Sequence, residues 1–446
     1  MTLTKFVTGA LIAAAAGAGC LVSPVPAAAQ TGDQFLPVLI YRTGPYAAGG
    51  SGIMGSMMDY FALINERDGG VNGVKLSWEE CETAYQNDRG VECYERLKGK
   101  GATGATLVHP LSTGITYSLI ERATNDKIPV ISLGYGRTDA SDGRVFPYIF
   151  PLITNYWAQN TAKIKFIGQR EGGMDKLKGK KIANVYHDSA YGKETIFILD
   201  EQAKLYGFEV KHYAVAHPGL DQKATWLQIG QYKPDWVILR GWGVMNPTAL
   251  REAAAIGFPR NKVVGVWWSG SEEDVIPAGD SAKGYIAASF HGAGRDYPVI
   301  QDILKHVHGK GKGNIDLARV GTIYYNRGLV FGIVSVEAVR KAQEKFGKRP
   351  LKGEEVRWGI EHLSFNVDSI TKLGARGLLP AFTISCADHE GGGAVRFMQW
   401  NGEKWVNVSG WIGTDQSLVR PLIEKSAAAY AKEKNLTPRD CSKPQS

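Results

Sequence analysis

The chain has 446 residues, with 52 Lys and Arg against 44 Asp and Glu and a formal net charge of +8. Its 44% hydrophobic and 22% charged residues are ordinary for a globular protein and exclude wholesale disorder. Because domains usually span about 100–200 residues, this length predicts two or three lobes with cores of their own. After residue 30 the sequence has no further apolar run of about 20 residues, which excludes a polytopic membrane protein.

Residues 1–29 have the pattern of an export signal. Lys5 supplies a positive charge, an Ala-rich apolar stretch follows it, and residues 27–29 offer three alanines as a cleavage site. We predict cleavage after Ala29 and a periplasmic location for the mature chain. A lipid anchor on Cys20 is the alternative.

Export would place the mature chain in an oxidising compartment, where paired cysteines form disulfides. Four cysteines follow the leader, and four cysteines allow three connectivities. We favour Cys81–Cys93, which closes a short loop, and Cys386–Cys441, which would hold the C-terminal segment. No metal site is expected, because the sequence has no C-x-x-C pair and no two histidines flank a cysteine.

The first part of the mature chain alternates short β-branched or aromatic runs with longer amphipathic stretches. This alternation predicts strands at 35–41, 76–81, 106–108 and 128–133, and helices at 51–67, 88–98 and 112–125. Ser112 or Thr113 is the expected N-cap of the last of these helices. Strands separated by helices of this length predict a parallel sheet that is covered by helices.

A second set of alternating elements follows the first and resembles it. It predicts strands at 181–186, 209–215, 236–239 and 263–267, and helices at 193–205, 222–231 and 247–255. Later helices at 298–308 and 324–346 and strands at 394–400 and 404–408 are expected to complete both sets. The fold class is therefore α/β, with two doubly wound, Rossmann-like lobes joined by a multi-strand hinge.

The predicted lobes divide the chain as follows. Lobe 1 comprises residues 30–150 and is completed by 288–392. Lobe 2 comprises residues 151–287 and is completed by 393–420, and residues 421–446 form a C-terminal tail. Ligands of doubly wound sheets bind beyond the carboxyl ends of the strands, so we expect the site in the cleft between the lobes.

One predicted loop suits an anion. Residues 109–114 follow a strand and open a helix, so main-chain N–H groups and hydroxyls there can hold a carboxylate. His109, Ser112 and Thr113 are the candidate contacts in this loop. Plain N-capping of the helix by Ser112 is the alternative.

Glycines and tryptophans end other predicted strands. Gly134 and Gly136 follow the strand at 128–133 and would let a ligand approach the main chain closely. Trp242 and Trp267 follow two strands of the second set. Aromatic residues at two such ends predict an apolar, aromatic-lined pocket.

Several short motifs, in their order along nearly the whole mature chain, resemble the leucine/isoleucine/valine-binding family of periplasmic receptors for ABC importers. These motifs are T-G-P-Y at 43–46, A-L-I-N-E at 62–66, G-G-V-N-G at 69–73, I-P-V-I-S at 128–132 and H-D-S-A-Y-G at 187–192. The resemblance implies a type I periplasmic binding protein, which closes its two lobes around a solute and delivers it to an inner-membrane permease.

The resemblance also implies roles for individual residues. Ser112 and Thr113 match the loop that holds the ligand carboxylate, and Gly134 and Gly136 match the second loop of the first lobe. Tyr46 and Tyr191 match further pocket positions. Trp242 lies near the position of another cleft aromatic of the family.

The sequence departs from the amino-acid binders at one position. Those proteins have an acidic residue at the end of the strand predicted at 263–267, where Trp267 and Trp268 stand here. A buried ammonium without a partner costs several kcal/mol, so this change favours an apolar or aromatic carboxylate that is not an amino acid. The acidic run 272–274 is the alternative partner for a ligand ammonium.

The sequence thus predicts a monomeric binding protein, not an enzyme, that needs no cofactor. Its expected partners are a small carboxylate and an ABC permease, and scattered basic residues on an exported chain argue against nucleic acid. The alternatives are a branched-chain amino acid or amide receptor of the same family, a ligand sensor of the same fold, and an exported hydrolase that uses Ser112 with His109.

Overall fold

The computed structural model describes residue 2 and residues 32–443. The predicted cleavage site, Cys20 and the rest of the predicted export signal apart from residue 2 lie outside the described residues. The strands of the described chain are β1 Gln34–Ile40, β2 Leu76–Glu82, β3 Val130–Ile131, β4 Ile149–Phe150, β5 Lys181–His187, β6 Glu209–Val215, β7 Trp236–Arg240, β8 Val263–Gly265, β9 Ile286–Ser289, β10 Ser364–Phe365, β11 Phe382–Thr383, β12 Ala394–Trp400, β13 Trp405–Asn407 and β14 Ile412–Gly413.

The strands alternate with helices over most of the chain. The α-helices of the described residues are α1 Ala47–Asp68, α2 Asn87–Leu97, α3 Thr113–Asp126, α4 Tyr156–Glu171, α5 Ala190–Lys193, α6 Ile196–Tyr206, α7 Lys223–Tyr232, α8 Met245–Ala255, α9 Glu272–Val275, α10 Pro298–His306, α11 Ile323–Phe346, α12 Gly353–Glu361, α13 Val367–Lys372 and α14 Gln416–Glu433. None of the helices in the described range is long and apolar enough to cross a membrane.

Lobe 1 is built on short parallel strands. β1 pairs with β2, and β3 pairs with β4, both in parallel. The segment predicted as a strand at 106–108 lies between these pairs: the N–H of Thr106 donates to the carbonyl of Phe35 at 3.0 Å, and Val108 forms a single parallel bridge with Val130. The strand order is that of a doubly wound fold, although regular pairing is lost in its middle.

Lobe 2 contains a larger mixed sheet. Its strand order is β13-β12-β9-β8-β7-β5-β6, and β14 also pairs with β12. The pairs from β6 to β9 are parallel, whereas β12 is antiparallel to β9 and to β13. All five residues of β7 are buried, as expected for a parallel strand with helices on both faces.

Two long helices form the centre of the lobe 1 core. α1 and α11 pack closely because α11 has glycines at the contact: a Cβ on Gly328 would lie 1.8 Å from the carbonyl oxygen of Ile53, and one on Gly332 would lie 2.8 Å from the Cβ of Tyr60. A larger residue at either position would separate the two helices. This packing fixes α11, whose first two turns reach the cleft.

The chain passes between the lobes after β4, after β9 and before β12. The first and third passages are joined, because the N–H of Gly393 donates to the carbonyl of Ile153 at 2.8 Å and the N–H of Asn155 donates to Glu390 at 3.0 Å. These joined segments form the multi-strand hinge that the sequence predicts.

The division of the chain into 30–150 with 288–392 and 151–287 with 393–420 remains our proposal. Position 288 lies within β9 of the lobe 2 sheet, and the boundary between 420 and 421 lies within α14. The second half of α14 packs on lobe 1, where the Tyr430 ring stacks on Phe146 at 4.7 Å. The first half of the segment predicted as a C-terminal tail, residues 421–433, is therefore helical and tied to lobe 1.

Both favoured disulfides are present in the structure. Cys81 and Cys93 join β2 to α2, with Cα atoms 5.6 Å apart, and Cys386 and Cys441 join a loop of lobe 1 to the C-terminal segment, with Cα atoms 5.7 Å apart.

Other predicted elements differ mainly at their ends. The helix predicted at 193–205 is the pair α5 and α6, which begins earlier. The strand predicted at 263–267 ends at Gly265, because residues 267–269 form a 3₁₀ turn. This turn directs two tryptophan side chains towards lobe 1.

Candidate functional site

A cavity of about 240 Å³ lies between the two lobes, at the carboxyl ends of the parallel strands. The lining residues come from loops and helix starts of both lobes and are Tyr85, Leu111, Ser112, Thr113, Tyr135, Tyr156, Tyr191, Trp242 and Trp268. Six of these nine residues are aromatic, and none is acidic or basic. A mostly aromatic lining with a few polar groups is typical of a small-molecule site.

The lobe 1 side of the cavity is held by hydrogen bonds within that lobe. Leu111 has a φ of +49°, which turns the chain sharply before α3. Its N–H donates to the Tyr135 hydroxyl at 2.8 Å, and its carbonyl accepts from the Tyr41 hydroxyl at 3.1 Å. The Tyr135 hydroxyl in turn donates to the carbonyl of Ile131 at 3.1 Å. Both main-chain polar groups of Leu111 are thereby hydrogen-bonded within lobe 1, which fixes the loop.

The start of α3 faces the cavity with an available polar group. Ser112 is the N-cap, and its Oγ accepts from the N–H of Ile115 at 3.3 Å. The Thr113 hydroxyl is buried and has no hydrogen-bond partner among the described residues. A first helical turn also has N–H groups that lack partners within the helix, and its dipole favours negative charge. This end of the cavity is therefore suited to an anion.

The lobe 2 side of the cavity consists of aromatic rings. Tyr191 donates its hydroxyl to the carbonyl of Gly241 at 2.9 Å and so stays oriented. The rings of Trp242 and Trp268 meet edge to face, with centroids 5.5 Å apart. The Trp242 indole N–H is buried without a partner among the described residues, so it is a second available donor at the cavity.

Two fully buried arginines lie behind the aromatic rings. The Arg240 guanidinium lies 4.0 Å from the ring centre of Tyr156, and the Arg327 guanidinium lies 4.6 Å from that of Trp268. Within residues 32–443, the hydrogen bonds of Arg240 go to the carbonyls of Tyr191 and Gly192 and none goes to a carboxylate.

Arg327 likewise has no carboxylate partner in the described chain. It donates to the carbonyl of Trp267 and to His291 Nε2, the latter at 3.1 Å. Burial lowers the pKa of Arg327 to about 10, so it keeps its charge at neutral pH. Arg327 is therefore a buried cation behind the ring of Trp268, and its charge interacts with the carboxyl of Asp274.

The lobes touch each other around the cavity. The indole N–H groups of Trp267 and Trp268 donate to the Gly134 carbonyl of lobe 1 at 2.7 and 3.2 Å. On another side of the cavity, the Tyr46 hydroxyl of lobe 1 lies 2.8 Å from His187 Nε2 of lobe 2. The structure therefore has its cleft closed.

The acidic run that follows Trp268 takes part in this closure. Glu272 accepts from the N–H of Ile323 at 2.8 Å, and Glu273 forms an ion pair with Arg319 at 2.8 Å. Asp274 accepts from the hydroxyl of Tyr324 at 2.7 Å. None of the three carboxylates lines the cavity.

Four of the nine predicted site residues line the cavity, namely Ser112, Thr113, Tyr191 and Trp242. Gly134 lies beside it and accepts the two indole N–H groups. Gly136 packs on Thr113, because a Cβ there would lie 2.7 Å from the Thr113 methyl group. Trp267 lies behind the wall, where its ring meets Phe290 edge to face with centroids 5.1 Å apart.

The other two predicted residues lie elsewhere. His109 stacks on Phe331, and its Nε2 lies 2.8 Å from the Ser335 hydroxyl. Burial lowers the pKa of His109 to about 3, which makes it a neutral core residue. Tyr46 lines an outer cavity of about 990 Å³, which shares Tyr85, Ser112 and Tyr191 with the inner one. The two cavities are therefore adjacent and share part of one wall.

The sequence patterns missed several lining and backing residues: Tyr85, Leu111, Tyr135, Tyr156, Arg240 and Arg327. Trp268 belongs to the tryptophan pair that the strand-end pattern identified, although only Trp267 was chosen as a site residue. Tyr135 lies between two predicted glycines, and Trp268 lies next to a predicted tryptophan, so strand-end position was a usable signal for both. Tyr156 and Arg327 lie on helices, and no local pattern connects them to a cleft.

Comparisons with known proteins agree with this architecture. The sequence model of the family described as periplasmic binding protein matches residues 34–404. A crystal structure described as an ABC transporter permease from the Pseudomonas fluorescens group is 49% identical, covers 92% of this chain and 99% of its own, and superposes with a TM-score of 0.86. Among curated proteins, no sequence matches significantly.

Two more distant structures share the fold. A branched-chain amino acid ABC transporter protein from Thermus thermophilus with bound valine is 22% identical, covers 88% of this chain and 99% of its own, and has a TM-score of 0.73. A solute-binding protein of an ABC transporter from R. palustris in complex with benzoate is 19% identical. It covers 86% of this chain and 97% of its own, and has a TM-score of 0.65.

Proposed function

This chain belongs to the type I periplasmic binding proteins of ABC transporters, and we propose that it binds a small apolar or aromatic carboxylate between its lobes. The observation that carries this proposal is the inner cavity: aromatic walls, two available neutral donors and no acidic lining residue.

The proposed orientation of the solute follows from the two walls. The carboxylate accepts hydrogen bonds from the Thr113 hydroxyl and from the N–H groups at the start of α3. The apolar body packs between Tyr191, Trp242 and Trp268, where burial of apolar area stabilises the complex.

The same cavity disfavours an amino acid. An α-ammonium group there would find no carboxylate, because the three nearby acids are engaged in contacts between the lobes. A buried ammonium without a partner costs several kcal/mol. The distant relative with bound valine supports the alternative of a branched-chain amino acid, and the relative with benzoate supports an aromatic acid.

Binding is proposed to occur by hinge closure. In an open form the solute would contact the lobe 1 loop first, and the indoles of lobe 2 would reach Gly134 only on closure. The solute then shifts the population towards the closed form, because only that form offers both walls. An inner-membrane ABC permease is the proposed partner that receives the solute, and the periplasm is the proposed location.

The hydrolase alternative has no support from the geometry. Ser112 Oγ accepts from a main-chain N–H as a helix cap, while His109 Nε2 bonds to Ser335 on α11. A serine nucleophile needs a base within hydrogen-bond reach, and here the two residues bond to different partners.

A matched series of solutes tests the ligand class. Isothermal titration would compare 4-methylpentanoate with its amide and with leucine, which adds an ammonium to the same skeleton, and benzoate with benzamide. We expect the acids to bind at micromolar Kd, about −8 kcal/mol, and leucine and both amides to bind at least about tenfold more weakly. Tight binding of leucine without binding of the acids would replace our proposal with the amino-acid alternative.

A further inference from the structure

Lobe 2 contains a second polar cluster, which lies on the helix that contributes Tyr156 to the inner cavity. Tyr156, Gln159, Asn160 and Lys163 lie on one face of α4, because positions three, four and seven residues apart align on a helix. All four side chains are buried. Among the described residues, Lys163 Nζ, both polar side-chain atoms of Gln159 and Asn160 Oδ1 have no hydrogen-bond partner.

Arg240 lies against this face of α4. Its guanidinium stacks on Tyr156 at 4.0 Å, and its Nε and Nη2 donate to the carbonyls at the end of α5. Its Nη1 has no partner in the described chain. Thr195 follows the end of α5 by two residues, is fully buried, and also has a free hydroxyl.

No acid among the described residues forms an ion pair with the charged groups of this cluster. Neither Lys163 nor Arg240 takes part in an ion pair within residues 32–443. Burial and the nearby positive charge of Arg240 lower the pKa of Lys163 well below its usual range. Buried polar groups without partners are costly and rare in native proteins. The concentration of such groups in this cluster therefore indicates a bound species.

The free donors belong to four chemical types: ammonium, guanidinium, amide and hydroxyl. We propose that lobe 2 binds one small monovalent inorganic anion of the chloride type between α4 and Arg240, held by Lys163, Arg240, Gln159 and Thr195. The anion offsets the arginine charge and allows Lys163 to stay protonated. The ring of Tyr156 separates it from the inner cavity, so the site does not depend on the identity of the transported solute.

Bromide is the probe for this site, because it substitutes for chloride and scatters anomalously. We expect an anomalous difference peak between Lys163 and Arg240 in crystals grown in sodium bromide. We also expect Tm to rise by about 2–4 °C when bromide replaces gluconate at about 100 mM, since an anion that binds only the folded state stabilises it.

Variants connect the two readouts. Lys163→Met removes one donor and is expected to abolish both the peak and the bromide-dependent rise in Tm. Thr195→Val, a smaller change, is expected to weaken both and serves if the buried lysine is needed for folding. Lys165→Met, on the same helix but half-exposed, is the matched control. We expect it to keep both the anomalous peak and the bromide-dependent rise in Tm.

Three results would overturn the proposal. These are crystals with bromide peaks only at the protein surface, water alone between Lys163 and Arg240, or an equal Tm in bromide and gluconate at matched ionic strength. Each of them leaves the proposed solute site unaffected, because that site is tested by titration with carboxylates.

Discussion

The two walls of the inner cavity are built differently. On the lobe 1 wall, Leu111 and Tyr135 hydrogen-bond to each other and to their own lobe, so the loop keeps its shape with or without lobe 2. On the lobe 2 wall, Trp268 donates its indole N–H across the cleft to lobe 1, as its neighbour Trp267 does.

This difference separates two tasks. The lobe 1 wall is preorganised and carries the donors at the start of α3, so it recognises the charge of the solute. The lobe 2 wall supplies apolar area and forms its contacts only on closure, so it couples binding to the movement of the lobes. Substitutions on the two walls should therefore have different signatures.

The largest effect is expected for the lobe 2 wall. Trp268→Ala removes a ring that lines the cavity and one hydrogen bond across the cleft, and a buried tryptophan at the centre of a contact typically contributes at least 2 kcal/mol. We expect the affinity for the acids to fall at least about 30-fold, by isothermal titration, and the amides to weaken by the same factor. Small-angle scattering should show that the variant no longer becomes more compact with solute.

Trp411→Ala is the control for this prediction, since Trp411 is 42% exposed and lies outside the cavity. Unchanged affinity in Trp268→Ala, together with normal compaction, would mean that the lobe 2 wall plays no part in binding.

The lobe 1 wall is expected to discriminate charge. Thr113→Val keeps the shape of the side chain and removes a buried hydroxyl that has no partner in the described residues. A hydrogen bond to a charged group contributes about 1.5–3 kcal/mol, so the acids should bind about 10- to 100-fold more weakly. The amides should lose much less, and the preference for acid over amide should shrink accordingly.

Thr124→Val, on the same helix, is the matched control, because its hydroxyl donates to the carbonyl of Ile120 within α3. An equal loss for acids and amides in Thr113→Val would assign the hydroxyl to general packing and contradict the division between the walls.

The sequence predicted one wall better than the other. Ser112 and Thr113 were found because a strand followed by a helix start is a local pattern, and local patterns fix where main-chain N–H groups are exposed. On lobe 2 the strand-end rule reached the right turn, but the 3₁₀ geometry of residues 267–269 directs Trp268 to the cavity and Trp267 behind it. One residue of register decides this, and no periodicity in the sequence encodes it.

The features that the sequence could not give depend on tertiary packing. Arg327 reaches the back of the cavity because glycines of α11 allow close packing on α1, which is a property of two helices far apart in sequence. The fold class and both disulfides were predictable, since alternating strands and helices specify a doubly wound sheet and short loops close readily. The sequence also predicted a strand at 106–108, but this segment forms only a single bridge and is not a regular strand.

The smallest predicted effect concerns the contact between the walls and depends on pH. Burial, together with the charge of Glu273, raises the pKa of Asp274 to about 7. The hydrogen bonds that Asn246 and Tyr324 donate to Asp274 oppose this rise. Burial likewise raises the pKa of Glu272 to about 7. Two cations act in this network: Arg319 forms an ion pair with Glu273, and the charge of Arg327 interacts with Asp274.

Opening of the cleft would separate Asp274 from Tyr324 and return its carboxyl to water, where its pKa is about 4. The closed form therefore binds a proton that the open form releases, so closure is favoured at low pH and this contribution is lost as the pH rises through about 7. Between about pH 6.5 and pH 8.5 we expect the affinity for benzoate to fall about fourfold for each of the two carboxyls. His187, whose pKa burial lowers to about 4, titrates below this range. Titrations of Asp274→Asn should give a flatter profile, and an affinity that rises with pH in the wild type would contradict this account of closure.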